Sequence, residues 1–190
     1  DSIAINYNSN ATFDDGSCDS SIAVISFIKD MLPENSCASN LDIKQTQDGG
    51  YIVAGCKDDK AWLMKTDLYG IEVWNKTYNL GDYWGNRTVI QTSDEGYLFA
   101  GWEGVLKTDS NGNQVWKKAG TPGSGQNPYY EDVIEHSNGN FYLVGGPVVD
   151  RNNYSKGGQA LLVKMSQNGA VLKTKFYGGN CEDDLFRSVI

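Results

Sequence analysis

Short apolar runs alternate with polar, glycine-bearing breaks along this chain, and the alternation recurs. Asp42-Ile43-Lys44-Gln45-Thr46 leads into Asp48-Gly49-Gly50 and the apolar run Tyr51-Ile52-Val53-Ala54-Gly55. Thr88-Val89-Ile90-Gln91-Thr92 leads into Asp94-Glu95-Gly96 and Tyr97-Leu98-Phe99-Ala100-Gly101, and Asp132-Val133-Ile134-Glu135-His136 into Asn138-Gly139-Asn140 and Phe141-Tyr142-Leu143-Val144-Gly145. Gln45 and Gln91 are 46 residues apart, and Gln91 and Glu135 are 44 apart. Each break predicts a hairpin turn, because glycine reaches positive φ without a steric cost. The run after it is apolar at successive positions, which predicts a strand covered on both faces.

A second motif follows each first one. Ala61-Trp62-Leu63-Met64-Lys65-Thr66-Asp67 runs through Gly70 to Val73-Trp74; Gly104-Val105-Leu106-Lys107-Thr108-Asp109 through Gly112 to Val115-Trp116; Leu161-Leu162-Val163-Lys164-Met165-Ser166 through Gly169 to Val171-Leu172. This predicts another hairpin, with the glycine in the left-handed position and the Asp accepting turn amides. Four short strands in about 45 residues are the content of one propeller blade. The expected fold is all-β: a β-propeller-like array of four-stranded antiparallel blades, a partial ring of a longer chain. It would have three blades, and a fourth beginning at Arg187-Ser188-Val189-Ile190. Trp74 and Trp116 are expected between adjacent sheets. Residues 42–190 form this repeat region, residues 19–41 a connecting strand and turn, and residues 1–18 a separate module. Ile22 to Lys29 lies one period before Trp74 and reads as the last strand of a preceding blade, or as a strand borrowed to close a ring. Open repeat edges would be sticky, so copies of the chain and other proteins are the expected partners.

Composition narrows the function. Five Trp, 11 Tyr, 6 Phe and 22 Gly suit aromatic strands joined by tight turns. The net charge is −8 and the basic residues are scattered. That excludes nucleic acid and anionic membrane surfaces as expected partners, since both need clustered positive charge. No run approaches the roughly 20 apolar residues of a membrane-spanning helix, so no membrane insertion is expected. The four cysteines, Cys18, Cys37, Cys56 and Cys181, include no C-x-x-C, and with one histidine a zinc cluster is not expected. Two disulfides have three pairings. Cys18 with Cys37 is the local one, and Cys56 with Cys181 would then tie the first repeat to the last.

The first eighteen residues are rich in oxygen ligands. Asp1, Asn6, Asn8, Asp14 and Asp15 could hold Ca2+, although their spacing is not that of an EF-hand; a linker of Asx turns is the competing reading. Trp84, beside Tyr83 in Gly81-Asp82-Tyr83-Trp84-Gly85, falls outside the strand repeat and is a candidate for stacking on a sugar or protein surface. Asp150, Arg151 and Tyr154 lie in a polar insertion, Pro147 to Gly158, of the kind that projects from the binding face of a repeat scaffold. Asn10, Asn75, Asn86 and Asn153 open N-x-Ser/Thr sequons. No catalytic residue is expected: His136 occupies the repeat position of Thr46 and Thr92, Asp58-Asp59 and Glu182-Asp183-Asp184 read as solvated acidic faces, and no nucleophile elbow, phosphate loop or zinc helix is present.

Two resemblances bear on compartment. Asn6-Tyr7-Asn8, Asn10-Ala11 and Asp14-Asp15-Gly16-Ser17-Cys18 resemble a short cysteine-bearing module of large secreted and surface proteins of the Bacteroidetes. Ile5 stands where that module has a cysteine, so the partner of Cys18 lies elsewhere, which favours Cys37. Asp48-Gly49-Gly50-Tyr51, Lys65-Thr66-Asp67 with Gly70 and Trp74, and Tyr177-Gly178-Gly179 resemble the propeller-like repeats of secreted Bacteroidetes proteins. The resemblance implies a secreted or cell-surface protein. Asp1-Ser2-Ile3 is similar to the short O-glycosylation signal of that group, which would modify Ser2. The functional expectation is a non-enzymatic extracellular structural or adhesion module, with a filament or larger adhesin as its setting. The alternative is a propeller that binds glycans or degrades polysaccharide.

Overall fold

The computed structural model describes residues 41–80, 86–101, 104–119, 128–147, 159–178 and 186–190. These form three four-stranded antiparallel sheets, each a meander in chain order. Sheet A holds β1 (Asp42–Gln45), β2 (Tyr51–Lys57), β3 (Lys60–Thr66) and β4 (Glu72–Tyr78). Sheet B holds β5 (Asn86–Gln91), β6 (Tyr97–Gly101), β7 (Gly104–Thr108) and β8 (Gln114–Ala119). Sheet C holds β9 (Pro128–Glu135), β10 (Phe141–Pro147), β11 (Ala160–Met165) and β12 (Val171–Tyr177). The described sheets do not close into a ring.

The first turn of every sheet has one design. Thr46, Thr92 and His136 donate their N–H to the carbonyls of Gly50, Gly96 and Asn140 at 2.9 Å. The fourth residue takes positive φ: 84° at Gly49, 64° at Glu95 and 76° at Gly139. The last turn is the same device, with Gly70, Gly112 and Gly169 at 79°, 74° and 77°. A register shift follows it at matching places, Lys65/Thr66, Lys107/Thr108 and Lys164/Met165. Such a shift increases local twist. Asp58 and Asp59, at φ 50° and 57°, form the two-residue turn joining β2 to β3.

The central strands β2, β3, β6 and β7 are almost wholly buried, while β4 is largely exposed. Burial therefore alternates between faces in the central strands only in direction. In β2, Ile52, Ala54 and Cys56 face sheet B, where they meet Val89, Tyr97, Phe99 and Leu106 in one core. Leu98, Ala100 and Val105 of sheet B join Tyr130, Val133, Leu143, Leu161 and Val163 of sheet C in a second core. Trp74 packs edge-on against Tyr97 with ring centroids 5.8 Å apart, and Trp116 lies 6.4 Å from Phe141. Both tryptophans are half-buried between sheets. Trp74 also covers the turn of the next sheet so closely that a Cβ on Gly112 would lie 2.8 Å from its ring. Trp116 does the same to Gly169, at 2.9 Å, and its indole N–H donates to the Gln167 carbonyl at 2.9 Å.

Polar ties run across the same seams. The Asp42 carboxylate accepts the Val89 N–H at 2.9 Å, and the Gln91 side chain accepts the Gln47 N–H at 2.7 Å. Glu135 accepts the Ser93 N–H at 2.6 Å and its hydroxyl at 2.7 Å. Tyr78 donates its hydroxyl to the Gly112 carbonyl at 2.7 Å. Residues 186–190 lie against β9, where Ser188 and Val189 bond to Asp132.

Candidate functional site

The turn end of the sheets carries the densest polar chemistry. A groove of about 490 Å³ opens there between sheets A and B, lined by Gln47, Asp48, Lys65, Trp74, Gln91, Glu95, Tyr97 and Asn111 among others. A second groove of about 410 Å³ lies between sheets B and C, lined by Ser93, Glu135, His136, Asn138 and Gln167. In both, turn residues of successive sheets line one opening.

Asp48 and Lys65 dominate the first groove. The Asp48 carboxylate accepts the Thr46 hydroxyl, the Gly50 N–H at 3.1 Å and the Lys65 ammonium at 2.9 Å. Lys65 also donates to the Thr66 carbonyl. The lysine side chain is 6% exposed and the aspartate 63%. The Thr46 hydroxyl first, then Lys65, holds the Asp48 carboxyl down at about 2. Asp94 repeats the arrangement with Thr92, Gly96 and Lys107, whose Nζ lies 2.9 Å from both carboxylate oxygens. Burial pulls Asp94 upward, but the bonds from Thr92 and Lys107 outweigh it and its pKa is lowered. Burial, and then the charges of Asp48 and Glu95, push Tyr97 up to about 12, so it stays a neutral hydroxyl.

Sheet C breaks the pattern. A Cβ on Gly50 would lie 2.1 Å from the Thr66 carbonyl and 2.6 Å from the Lys65 ammonium, and Gly96 is equally tight. Sheet C has Asn140 at that position and Asn138 in place of the aspartate. Its lysine, Lys164, is partly exposed and lies over the Tyr142 ring at 5.5 Å. The buried ion pair therefore requires the Asp-x-Gly turn and is absent where the turn changes.

The other expected residues fall as follows. Asp67 and Asp109 accept their turn amides, at 2.8–2.9 Å and 2.7–2.9 Å. His136 is exposed, its Nδ1 accepting the Asn138 N–H at 3.2 Å and its ring against Tyr142. Asn75 is exposed on β4 and hydrogen-bonds Glu72; Asn86 begins β5. Cys56 is buried on β2. Cys18, Cys37 and Cys181 lie outside the described residues. So do Trp84, Tyr83, Asp150, Arg151, Tyr154, Asp1, Asn6, Asn8, Asp14, Asp15, Asn10, Asn153 and Ser2. No group of three potential metal ligands occurs among the described residues. The sequence reading missed the Asp48–Lys65 and Asp94–Lys107 pairs. The available signal was a lone lysine closing an otherwise apolar strand in both units.

No family model matches the chain, and no curated protein matches it. Among solved structures it is similar to a protein of unknown function from Bacteroides caccae, at 13% identity and a TM-score of 0.35, covering 73% of this chain and 68% of that one. A likeness of that size carries no argument about function.

Proposed function

We propose that this chain is a non-enzymatic, extracellular or cell-surface structural or adhesion module, and that its sheets are blades of a propeller-like array. One observation carries the reading: carboxylates of the repeats are engaged in holding the structure together. Asp42, Asp132 and Glu135 accept hydrogen bonds from the neighbouring unit, and Asp48 and Asp94 neutralise buried lysines. A glycosidase needs one carboxyl kept protonated at a raised pKa, whereas Asp48, Asp94 and Asp109 are all held low.

A second reading, glycan binding, is favoured by the groove between sheets A and B, where Trp74 and Tyr97 stand among amide and carboxylate side chains. Aromatic faces beside polar groups suit a sugar ring. The test runs reducing-end release from a panel of neutral and acidic polysaccharides beside binding of the intact chain to the same polymers when immobilised. Binding or no binding without release is the expected result. Sustained release above a buffer blank, abolished by a single carboxylate substitution, overturns the non-enzymatic reading.

A further inference from the structure

The face of sheet A turned away from sheet B is apolar and covered, yet neither other sheet lies on it. Val53, Trp62 and Met64 are 8%, 2% and 2% exposed and form a cluster that no residue of sheet B or C joins. The strand registers say what belongs there. Val53 pairs with Met64, Phe99 with Leu106 and Leu143 with Val163, so these are one position in three sheets. Phe99 and Leu106 are buried by sheet A, and Leu143 and Val163 by sheet B. In each described seam, this face receives the unit that precedes it in the chain.

We infer that residues 22–28, Ile22-Ala23-Val24-Ile25-Ser26-Phe27-Ile28, seat on the Val53–Trp62–Met64 face and fill the place of a preceding blade. Three observations select this occupant. Leu41 reaches the same face, its Cδ2 2.6 Å from where a Gly55 Cβ would be and beside the Trp62 ring, so the chain enters sheet A from that side. Within residues 1–40 this is the one apolar run of strand length, flanked by polar Cys18-Asp19-Ser20-Ser21 and Lys29-Asp30. The 12 residues from Lys29 to Asn40 span up to about 40 Å when extended, ample to return a strand alongside the sheet. The Trp62 indole N–H has no acceptor among the described residues; leaving it unsatisfied opposes the packing, and the apolar area removed from water has to outweigh that cost. The inference holds whatever the chain binds.

Hydrogen exchange on the full chain tests it. Amides of residues 22–28 should exchange at least about 100-fold more slowly than free peptide, together with those of β3. Because a strand presents alternate residues to one face, one of two double variants, I25D/F27D or V24D/I28D, should release both segments and raise acrylamide quenching of tryptophan, while β9 to β11 stay protected. Free exchange of residues 22–28 beside a protected β3 overturns the inference. So does protection of β3 that disappears on dilution of a dimer, which would make a second copy the cover. Should both variants fail to fold, the wild-type exchange pattern still decides.

Discussion

The Val189 N–H donates to the Asp132 carboxylate at 3.0 Å, repeating the bond of Val89 to Asp42 at 2.9 Å. The Ser188 hydroxyl adds a second contact to Asp132, at 3.2 Å. Residues 186–190 thus meet sheet C as β5 meets sheet A. Asp132→Ala should accelerate exchange of the Val189 amide by about 10-fold or more while leaving Val89 unchanged. Equal exchange in both proteins would show that apolar packing alone holds this segment.

Asp48 and Lys65 should respond unequally to deletion. Asp48→Ala leaves a buried ammonium with only a carbonyl to face, and should cost about 1–2 kcal/mol in urea denaturation, less than for a fully buried pair because Asp48 is largely exposed. Lys65→Met removes the charge together with its desolvation penalty and leaves a solvent-accessible aspartate, so about 1 kcal/mol or less is expected. The double variant should resemble Lys65→Met alone. Strict additivity would show that the two side chains act independently.

Acid should expose the same pair. The folded Asp48 carboxyl is held at about 2, below its ordinary 3.8. Its stabilising contribution is complete above the unfolded value and fades as pH falls from about 4 through 2. The stability gap between wild type and Asp48→Asn should therefore be constant from pH 7 to 5 and shrink toward pH 2. A gap that is flat to pH 2 would place the effect in packing.

Glu95 sits at φ 64°, where the equivalent residues are Gly49 and Gly139. Glu95→Gly should stabilise the chain by about 0.5–1 kcal/mol, because relief of a left-handed side chain outweighs the extra freedom of the unfolded glycine. Gly49→Ala should destabilise. Thermal melts of the two variants moving in the same direction would refute this.

Gly112 and Trp74 form a cycle of their own. Gly112→Ala combines positive φ with a Cβ 2.8 Å from the Trp74 ring, and should cost about 2 kcal/mol or more. Trp74→Ala should cost about 3 kcal/mol. The double variant should cost less than the sum, since removing the indole removes the overlap.

Much of the fold was legible in the repeated residues. Gly70, Gly112 and Gly169 marked the last turns, and the doubly apolar Tyr51 and Tyr97 runs marked the central strands, because turn chemistry and strand burial are local in sequence. The sequence also placed Trp74 and Trp116 between sheets, where both are found. Ring closure depends on angles between sheets, which no local pattern encodes. The groove was not anticipated for the same reason. Asp48 and Lys65 are 17 residues apart and meet only through the pairing of β2 with β3, while Glu95 and Trp74 belong to different repeats and meet only at the seam between sheets A and B. The loop aromatics Tyr83 and Trp84 stood out by breaking the repeat, and they fall outside the described residues.

Each core shared between sheets joins two units that are consecutive in the chain: sheet A with B, then B with C. Damage in such a molecule stays near its origin. Loss of Tyr97 would loosen the first joint and leave the second, around Leu143 and Leu161, intact. Unfolding would then travel as a front along the array, and each sheet's resistance would reflect its own strands plus the neighbours that grip it.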